Sequence, residues 1–463
     1  MSELRYYQTD CVVEVLDKKR IIIGDEMSLG KSAEAIKSKE AIENEKRHDI
    51  KTLIVCPTEV MPVWEREIKK WYKKKEKSQI AIIHTSMYDD NVRKIKDQDF
   101  AIIGYSTLSS IGNDEHEINK LKSKGFEYII GDEAHNAKNP EAYRTKAVRN
   151  LFDSAEYLTL LSGTPIPNTV VDIYMLLHLL DNKSFPIKEG SSKSILRGFY
   201  NLFKKNPDFV KNILDQRMIR REIGDCGLDI KFPTLNQKNL EVKLEGEHKE
   251  VYLEIYESDI SKSEAKLRQL IYASIDPNLV DPSLLNGSSK RIGQMESCVY
   301  KALDKLIEEI VDKNGKALIF SDLKTGVTKN LQERFKKYNA LLIDGDVLPT
   351  KNFNKDIKLR EEIRRRFQQD PDNKLLISTT VMNEGVDLSA ATTTIHLTLP
   401  YVPGAFDQRN RRGGRIGEVS KESMDIYVVK PYIDHLIPVI TEGMINYLDD
   451  KRRKLKINFK GFL

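Results

Sequence analysis

Two series of short, uninterrupted apolar runs organise the chain. The first comprises "RIIIG" (Arg20 to Gly24), "TLIVC" (Thr52 to Cys56), "IAIIH" (Ile80 to His84), "FAIIG" (Phe100 to Gly104), "YIIG" (Tyr128 to Gly131) and "YLTLL" (Tyr157 to Leu161). The second comprises "KALIF" (Lys316 to Phe320), "ALLID" (Ala340 to Asp344), "KLLIS" (Lys374 to Ser378), "TTIHL" (Thr393 to Leu397) and "DIYVV" (Asp425 to Val429). None alternates apolar with polar, so each reads as a strand buried on both faces, in a parallel sheet with helical crossovers. Two series predict two α/β domains, each a parallel sheet layered between helices. The boundary is expected near residue 230, giving a first lobe over 1–230 that ends in a helical extension and a second over 231–463. Asp172 to about Ser289 reads as mostly helical, with a strand-like break at "NLEVKL" (Asn239 to Leu244), and a helical insertion is expected near 245–300. "DPNLVDPSLLNGSS" (Asp276 to Ser289), rich in turn residues, reads as a mobile surface loop.

Length agrees with two or three domains, since 463 residues exceed one ordinary core. No apolar run is long enough to span a bilayer, and the opening "MSELRYYQTD" lacks the apolar core of a signal peptide. The scattered Cys11, Cys56, Cys226 and Cys298 form no Cys-x-x-Cys pair, which argues for reduced thiols in an intracellular protein and against a zinc site. A net charge of +5 does not by itself imply nucleic acid. Basic islands do stand out, at Lys69–Lys77, Lys358–Phe367, Arg409–Arg415 and Lys451–Lys456, and each reads as a solvated face unless the fold gathers them at one groove.

The chemistry concentrates after two of the first-series strands. "GDEMSLGKS" (Gly24 to Ser32) approximates a phosphate-binding loop, with Asp25 where the common pattern has its first glycine. In such a loop Ser28, Leu29 and Gly30 would present backbone N–H groups to phosphate, Lys31 would reach the terminal phosphates, and the Ser32 hydroxyl would ligate Mg²⁺. Gly-Lys-Ser alone could be a chance match. "GDEAHNAKNP" follows the strand ending at Gly131 and places Asp132 and Glu133 at a strand's carboxyl end, where open α/β sheets bind ligands. Asp132 is suited to hold Mg²⁺, Glu133 to orient and deprotonate an attacking water, and His135 to link the γ-phosphate to its surroundings.

With these residues in view, "DEMSLGKS" resembles the "DEMGLGKT" loop of Swi/Snf-type ATPases, a branch of helicase superfamily 2, in which Asp is usual at the position of Asp25. Ser28 departs from that pattern by replacing a glycine, a cost if the position needs positive φ. The resemblance continues in order. "LRYYQ" is similar to the family's adenine-reading segment and makes Gln8 the base-recognition candidate. Thr58 and Trp64 match in "LIVCPTEVMPVWEREIKKW", Tyr105 and Thr107 in "IIGYSTL", and Ser162, Gly163, Thr164 and Pro165 in "LSGTPIPN". "RMIRRE" (Arg217 to Glu222) resembles the segment joining the lobes. "LISTTVMNEGVDLSAA", with Gly385 and Asp387, and "DQRNRRGGRIGE", with Gln408, Arg412 and Arg415, resemble the last two motifs.

The resemblance implies two RecA-like lobes, ATP with Mg²⁺ as cofactors, and DNA as partner: double-stranded, forked or in four-way junctions. Arg412 and Arg415, three apart and so on one face if helical, would neutralise charge on the transferring phosphoryl group, while Arg409 and Arg411 read as solvated. His135, Ser162, Thr164 and Gln408 would couple hydrolysis to movement. Thr58, Trp64, Thr107, Ser321, Thr379 and Tyr401 would contact DNA, the threonines and Ser321 through phosphates. Pro403, Gly404 and Gln408, with Glu384 and Asp387, lean towards fork-remodelling and branch-migration enzymes, expected to act as a monomer and without a membrane. An RNA helicase, a transcription-associated ATPase and a DNA-binding protein with a decayed ATP site are the alternatives.

Overall fold

The computed structural model describes residues 3–74, 79–97, 99–166, 170–187, 192–226, 233–258, 264–285, 293–323, 326–344, 353–379, 387–400, 403–414 and 421–433. The chain divides into two compact units between Asp229 and Ile230.

The first unit holds strands β1 (Arg20–Ile23), β2 (Thr52–Cys56), β3 (Ile80–Ile83), β4 (Phe100–Gly104), β5 (Tyr128–Gly131), β6 (Tyr157–Leu161) and β7 (Met218–Ile219). They form one seven-stranded sheet in the order β3-β4-β2-β5-β6-β1-β7. Every pairing is parallel, as between β2 and β4, where Thr52 lies opposite Phe100 and Cys56 opposite Gly104. β2, β4, β5 and β6 are buried at every position. Side chains on both faces are covered because each crossover returns as a helix, such as Lys31–Lys46, Met61–Trp71 or Tyr143–Phe152. Leu53, Val55, Ile103 and Leu160 pack with Phe152 and the apolar helix Val171–Leu180 in the main core.

The second unit holds β8 (Thr234–Lys243), β9 (Ala317–Phe320), β10 (Leu341–Ile343), β11 (Leu375–Ser378), β12 (Thr393–His396) and β13 (Ser423–Tyr432). Its sheet runs β10-β11-β9-β12-β13-β8, again parallel throughout. The α/β class and all eleven expected strands are therefore present. Two strands go beyond the apolar-run reading. β7 is too short to show a pattern. β8 begins before the expected break, and its largely exposed residues fit an edge strand with one paired side.

Helices Gly246–Glu257 and Glu264–Ile275 follow β8. The stretch expected as a mobile loop after them is instead packed as far as it is described. Short turns at Pro277–Leu279 and Pro282–Leu284 are capped by Asp276 and Asp281, and Pro277, Val280 and Leu285 are buried. Apolar residues at three- and four-residue spacing explain the difference, since Pro277, Val280 and Leu284 can face the helices below. No helix among the described residues is long and apolar enough to cross a membrane, and all four cysteines are free thiols.

Candidate functional site

Sheet order assembles the site in the first unit. β5, β6, β1 and β7 are consecutive neighbours and all parallel, so their carboxyl ends share one edge. The segments that leave this edge are Asp132–Glu133, Ser162–Thr164, the Gly24–Ser32 loop and Arg220–Arg221. Residues separated by up to some two hundred positions are thereby brought together.

The loop after β1 turns into the helix Lys31–Lys46 at Gly30, which has φ 91°. Its positive φ is what calls for glycine at this position, and a Cβ there, 2.4 Å from Gln8 Nε2, would also displace the Gln8 amide. Gln8 donates from Nε2 to the Leu29 carbonyl at 3.0 Å, Tyr7 donates its hydroxyl to the same carbonyl at 2.8 Å, and Arg5 N donates to Gln8 Oε1 at 3.0 Å. Gln8 thus lies against the loop. Ser28 has φ 73°, the left-handed conformation that a glycine adopts freely, so its replacement of the family glycine carries a backbone cost.

Lys31 Nζ donates to the carbonyls of Asp25 at 2.6 Å and Glu26 at 3.2 Å. Burial lowers its pKa, opposed by Glu133 and Asp25. A Cβ on Gly163 would lie 3.6 Å from Lys31 Nζ, which places the segment after β6 directly beside the ammonium. Asp25 itself is wholly buried: its Oδ1 accepts from Arg221 N at 3.0 Å and its Oδ2 from Arg221 Nε at 2.9 Å.

Asp132 Oδ1 accepts the Glu133 N–H at 3.0 Å and Oδ2 accepts the Trp64 indole N–H at 2.8 Å. Burial and the neighbouring Glu133 push the Asp132 carboxyl up to about 7. Two crowded acids beside a loop of amides form a site that a cation would relieve. One carboxylate with a hydroxyl such as Ser32, the remaining shell left to phosphate and water, is the hard-oxygen donor set that suits Mg²⁺. Glu133 has φ 45°. Its Oε2 lies 3.3 Å from His135 Nδ1, which is also 3.2 Å from Ser162 Oγ. Burial lowers the His135 pKa to about 4, so the ring is neutral near pH 7 and its single proton can sit on Nδ1, donating towards either oxygen. Ser162 Oγ in turn accepts Thr164 N at 3.3 Å. His135 Nδ1 therefore sits between the acidic pair and the Ser-Gly-Thr segment, 3.3 Å from Glu133 Oε2 and 3.2 Å from Ser162 Oγ.

Of the residues expected to contact DNA, Trp64, Thr107, Ser321 and Thr379 are buried. Trp64 is 2% exposed, and its indole serves Asp132. Thr107 is buried and receives the Thr85 hydroxyl at 3.1 Å. Ser321 is buried and closes a turn with Leu323, and Thr379 is fully buried after β11. Thr58 alone of the described set is partly exposed, with its hydroxyl 2.6 Å from that of the exposed Ser106. The polar atoms of Trp64, Thr107 and Ser321 meet backbone or another side chain, whereas Thr379 Oγ1 has no hydrogen-bond partner among the described residues.

In the second unit Gln408 and Arg412 lie on the helix Pro403–Gly413, and both are buried. The Arg412 carbonyl accepts Leu388 N at 3.2 Å, and Asp387 Oδ1 caps Ser389 N at 2.9 Å. The helix ends at Gly413, so the shared-face argument for Arg412 and Arg415 does not extend along it. Arg415, Gly385 and Tyr401 lie outside the described residues. Arg409 is not solvated as expected: it is fully buried, paired with Asp322, and its guanidinium lies 5.4 Å from the Phe320 ring centroid. Arg364 of another basic island is likewise buried against Glu361, at 2.9 Å.

Arg220 and Arg221 were not legible as site residues. The resemblance of "RMIRRE" to a lobe-joining segment is the signal they carry, and nothing in it names Asp25 as a partner. Glu34, buried and 3.0 Å from Arg221, is equally silent in sequence.

Comparison with known proteins gives this geometry its setting. The SNF2-related domain family matches residues 7–280, and the helicase conserved C-terminal domain matches residues 299–417. The chain is 22% identical over 469 residues to the human DNA annealing helicase and endonuclease ZRANB3, covering 96% of this chain and 40% of that protein. It is 23% identical over 462 residues to the SWI/SNF-related matrix-associated actin-dependent regulator of chromatin subfamily A-like protein 1 of Xenopus tropicalis, covering 95% and 44% respectively. The chain thus spans less than half the length of these relatives. Among solved structures, the Sulfolobus solfataricus SWI2/SNF2 ATPase core in complex with dsDNA aligns with a TM-score of 0.44 at 23% identity, covering 100% of this chain and 94% of that one. With the SNF2-related match extending over more than half its length, and a helicase C-terminal domain following in the same order as in the sequence motifs, this chain belongs to the SNF2-related ATPase family.

Proposed function

We propose that the chain hydrolyses ATP at the edge of the first sheet and uses the reaction to translocate on double-stranded or branched DNA. The observation that carries the first half is the convergence on Lys31. Its ammonium rests on the loop's own carbonyls beside Gly163, with the charges of Glu133 and Asp25 acting on it. An incoming triphosphate offers Lys31 stronger, charged acceptors in place of these two neutral carbonyls.

Asp132 and Ser32 would hold Mg²⁺, which when bound neutralises charge on the phosphate oxygens. Glu133 orients water and accepts its proton. His135, neutral and within reach of Glu133 and Ser162, ties the base to the segment after β6, so a change at one is felt by the other. Arg412 and Arg415 are assigned to charge neutralisation in phosphoryl transfer, and Gln408 to coupling. Gln8, against the loop, is assigned to the base. Thr58 with Ser106 remains the best-placed hydroxyl pair for a phosphate backbone.

Action on forks or junctions is the finer part of the proposal. It is supported by the wording "PGAFDQ" and by the printed activity of the DNA annealing helicase to which the chain is 22% identical. The test is ATP hydrolysis by the full chain with linear duplex, forked DNA, four-way DNA and RNA, alongside Lys31→Ala and Glu133→Gln. Stimulation is expected to be greatest with branched DNA and lost in both variants. Preference for RNA would overturn the DNA assignment, and undiminished turnover by Lys31→Ala would overturn the site.

A further inference from the structure

The aspartate that stands where the common phosphate loop has glycine is explained by its partner. Asp25 takes three hydrogen bonds from one residue, from Arg221 N at 3.0 Å, Nε at 2.9 Å and Nη2 at 2.5 Å. The same guanidinium donates to the Tyr7 carbonyl, pairs with Glu34 at 3.0 Å, and lies 5.0 Å from the Tyr7 ring centroid. Around this clamp the loop runs alongside the segment after β7. Gly24 N donates to the Ile219 carbonyl at 2.7 Å, Glu26 N to the Arg221 carbonyl at 2.9 Å, and Ile223 N to Glu26 Oε2 at 2.9 Å. Arg220 spans the carbonyls of Gly24 and Gly163 from the other side.

The consequence concerns Lys31. Its ammonium rests on the Asp25 and Glu26 carbonyls, and the Asp25 side chain is what Arg221 fixes. Two donors of one planar guanidinium converge on Oδ2 while the Arg221 backbone N–H holds Oδ1, so the carboxylate is fixed in position and orientation; a lysine in its place keeps the backbone contact and loses the paired donors. We propose that Arg221 is a positioning residue for nucleotide binding, locking Asp25 so that the Lys31 ammonium is presented to the terminal phosphates. This rests on reading the Gly24–Ser32 loop as the ATP site, and it adds a residue from the segment that leads towards the boundary between the two units.

The test is equilibrium binding of fluorescent ATP and ADP analogues, with Mg²⁺, to the full chain and to Arg221→Lys, Asp25→Asn, the double variant and Lys31→Ala. If Arg221 acts through Lys31, ATP affinity falls about tenfold in either single variant, the scale of other orienting contacts. ADP, which lacks the terminal phosphate, loses distinctly less. The double variant is no weaker than the worse single one, because one interaction has been removed twice. Equal losses for ATP and ADP, no loss, or additive losses would overturn the proposal. Should Arg221→Lys fail to fold, the near-isosteric Asp25→Asn decides on the ATP-to-ADP ratio alone. Lys31→Ala keeps the two claims apart. If it binds ATP as the unaltered chain does, the ATP-site reading fails. If it loses ATP while the Arg221 and Asp25 variants do not, only the positioning role fails.

Discussion

The indole N–H of Trp64 donates to Oδ2 of Asp132 at 2.8 Å, joining a helix side chain to the acid at the end of β5. The other oxygen is fixed by the Glu133 N–H. Both oxygens of the proposed Mg²⁺ ligand therefore have set directions before any cation arrives. Trp64→Phe keeps the apolar bulk and removes the donor. ATP hydrolysis is expected to fall about tenfold, with a higher Mg²⁺ requirement and an intact fold. A Mg²⁺ titration of turnover, with circular dichroism as the control, checks this.

Ser28 holds φ 73° in the loop, where Cβ and backbone crowd one another. Ser28→Gly restores the family residue and removes that crowding, and is expected to stabilise the first unit by roughly 1 kcal/mol. The greater freedom of glycine when unfolded offsets part of the gain. Denaturant unfolding measures the difference. A loss of stability would show that Ser28 makes compensating contacts.

Arg409 is the opposite case, a cation in the interior of the second unit. Its pairing with Asp322 and its place over Phe320 mean that truncation removes a fully buried side chain and leaves a half-buried carboxylate without its charge partner. Arg409→Ala is expected to destabilise the second unit by about 3 kcal/mol or more. Arg409→Ala and Arg411→Ala, compared by thermal unfolding, should differ widely, since Arg411 is only half-buried.

His248 predicts a pH dependence with a definite sign. It is 1% exposed, its Nε2 lies 2.8 Å from the Ala273 carbonyl, and its Nδ1 accepts the Cys298 N–H at 3.0 Å. Only the neutral ring protonated on Nε2 satisfies both, and burial lowers its pKa below the ordinary 6.5. The unfolded chain takes up this proton first, so the stabilisation is present above pH 6.5 and declines as pH falls below it. The slope reaches at most about 1.4 kcal/mol per pH unit. His135 and His178, also lowered by burial, act in the same direction in the first unit. Hydrogen exchange in the helix Cys298–Asp312 isolates the second unit. Its protection should drop from pH 7 to pH 5, and His248→Gln should flatten that drop.

What sequence could and could not reveal follows from the range of each signal. The strands were legible because a fully buried parallel strand must be apolar at every position, as β2 and β4 are. The loop and the acidic pair were legible because their chemistry demands particular residues at short spacing, and the Ser-Gly-Thr segment through its resemblance to a family motif. β7 left no trace, since two residues make no pattern, and β8 was only half seen because an edge strand exposes polar side chains. The pairing of Asp25 with Arg221 joins residues 196 positions apart. Nothing local requires an aspartate there, so only the folded sheet order discloses it. Trp64 and Thr107 carry a role the motif did not disclose: each is buried with its polar atom hydrogen-bonded inside the unit.

β7 is the last strand of one sheet and β8 the last of the other, and the chain passes from the first unit to the second between them. A tether fastened to outermost strands loads each layer at its margin. β7 is held by β1 through only two residue pairs, whereas β8 is zipped to β13 along its whole length. A pull along the polypeptide acts equally at both ends, so the shorter β7 pairing would part before that of β8, at the strand that runs directly into Arg220 and Arg221.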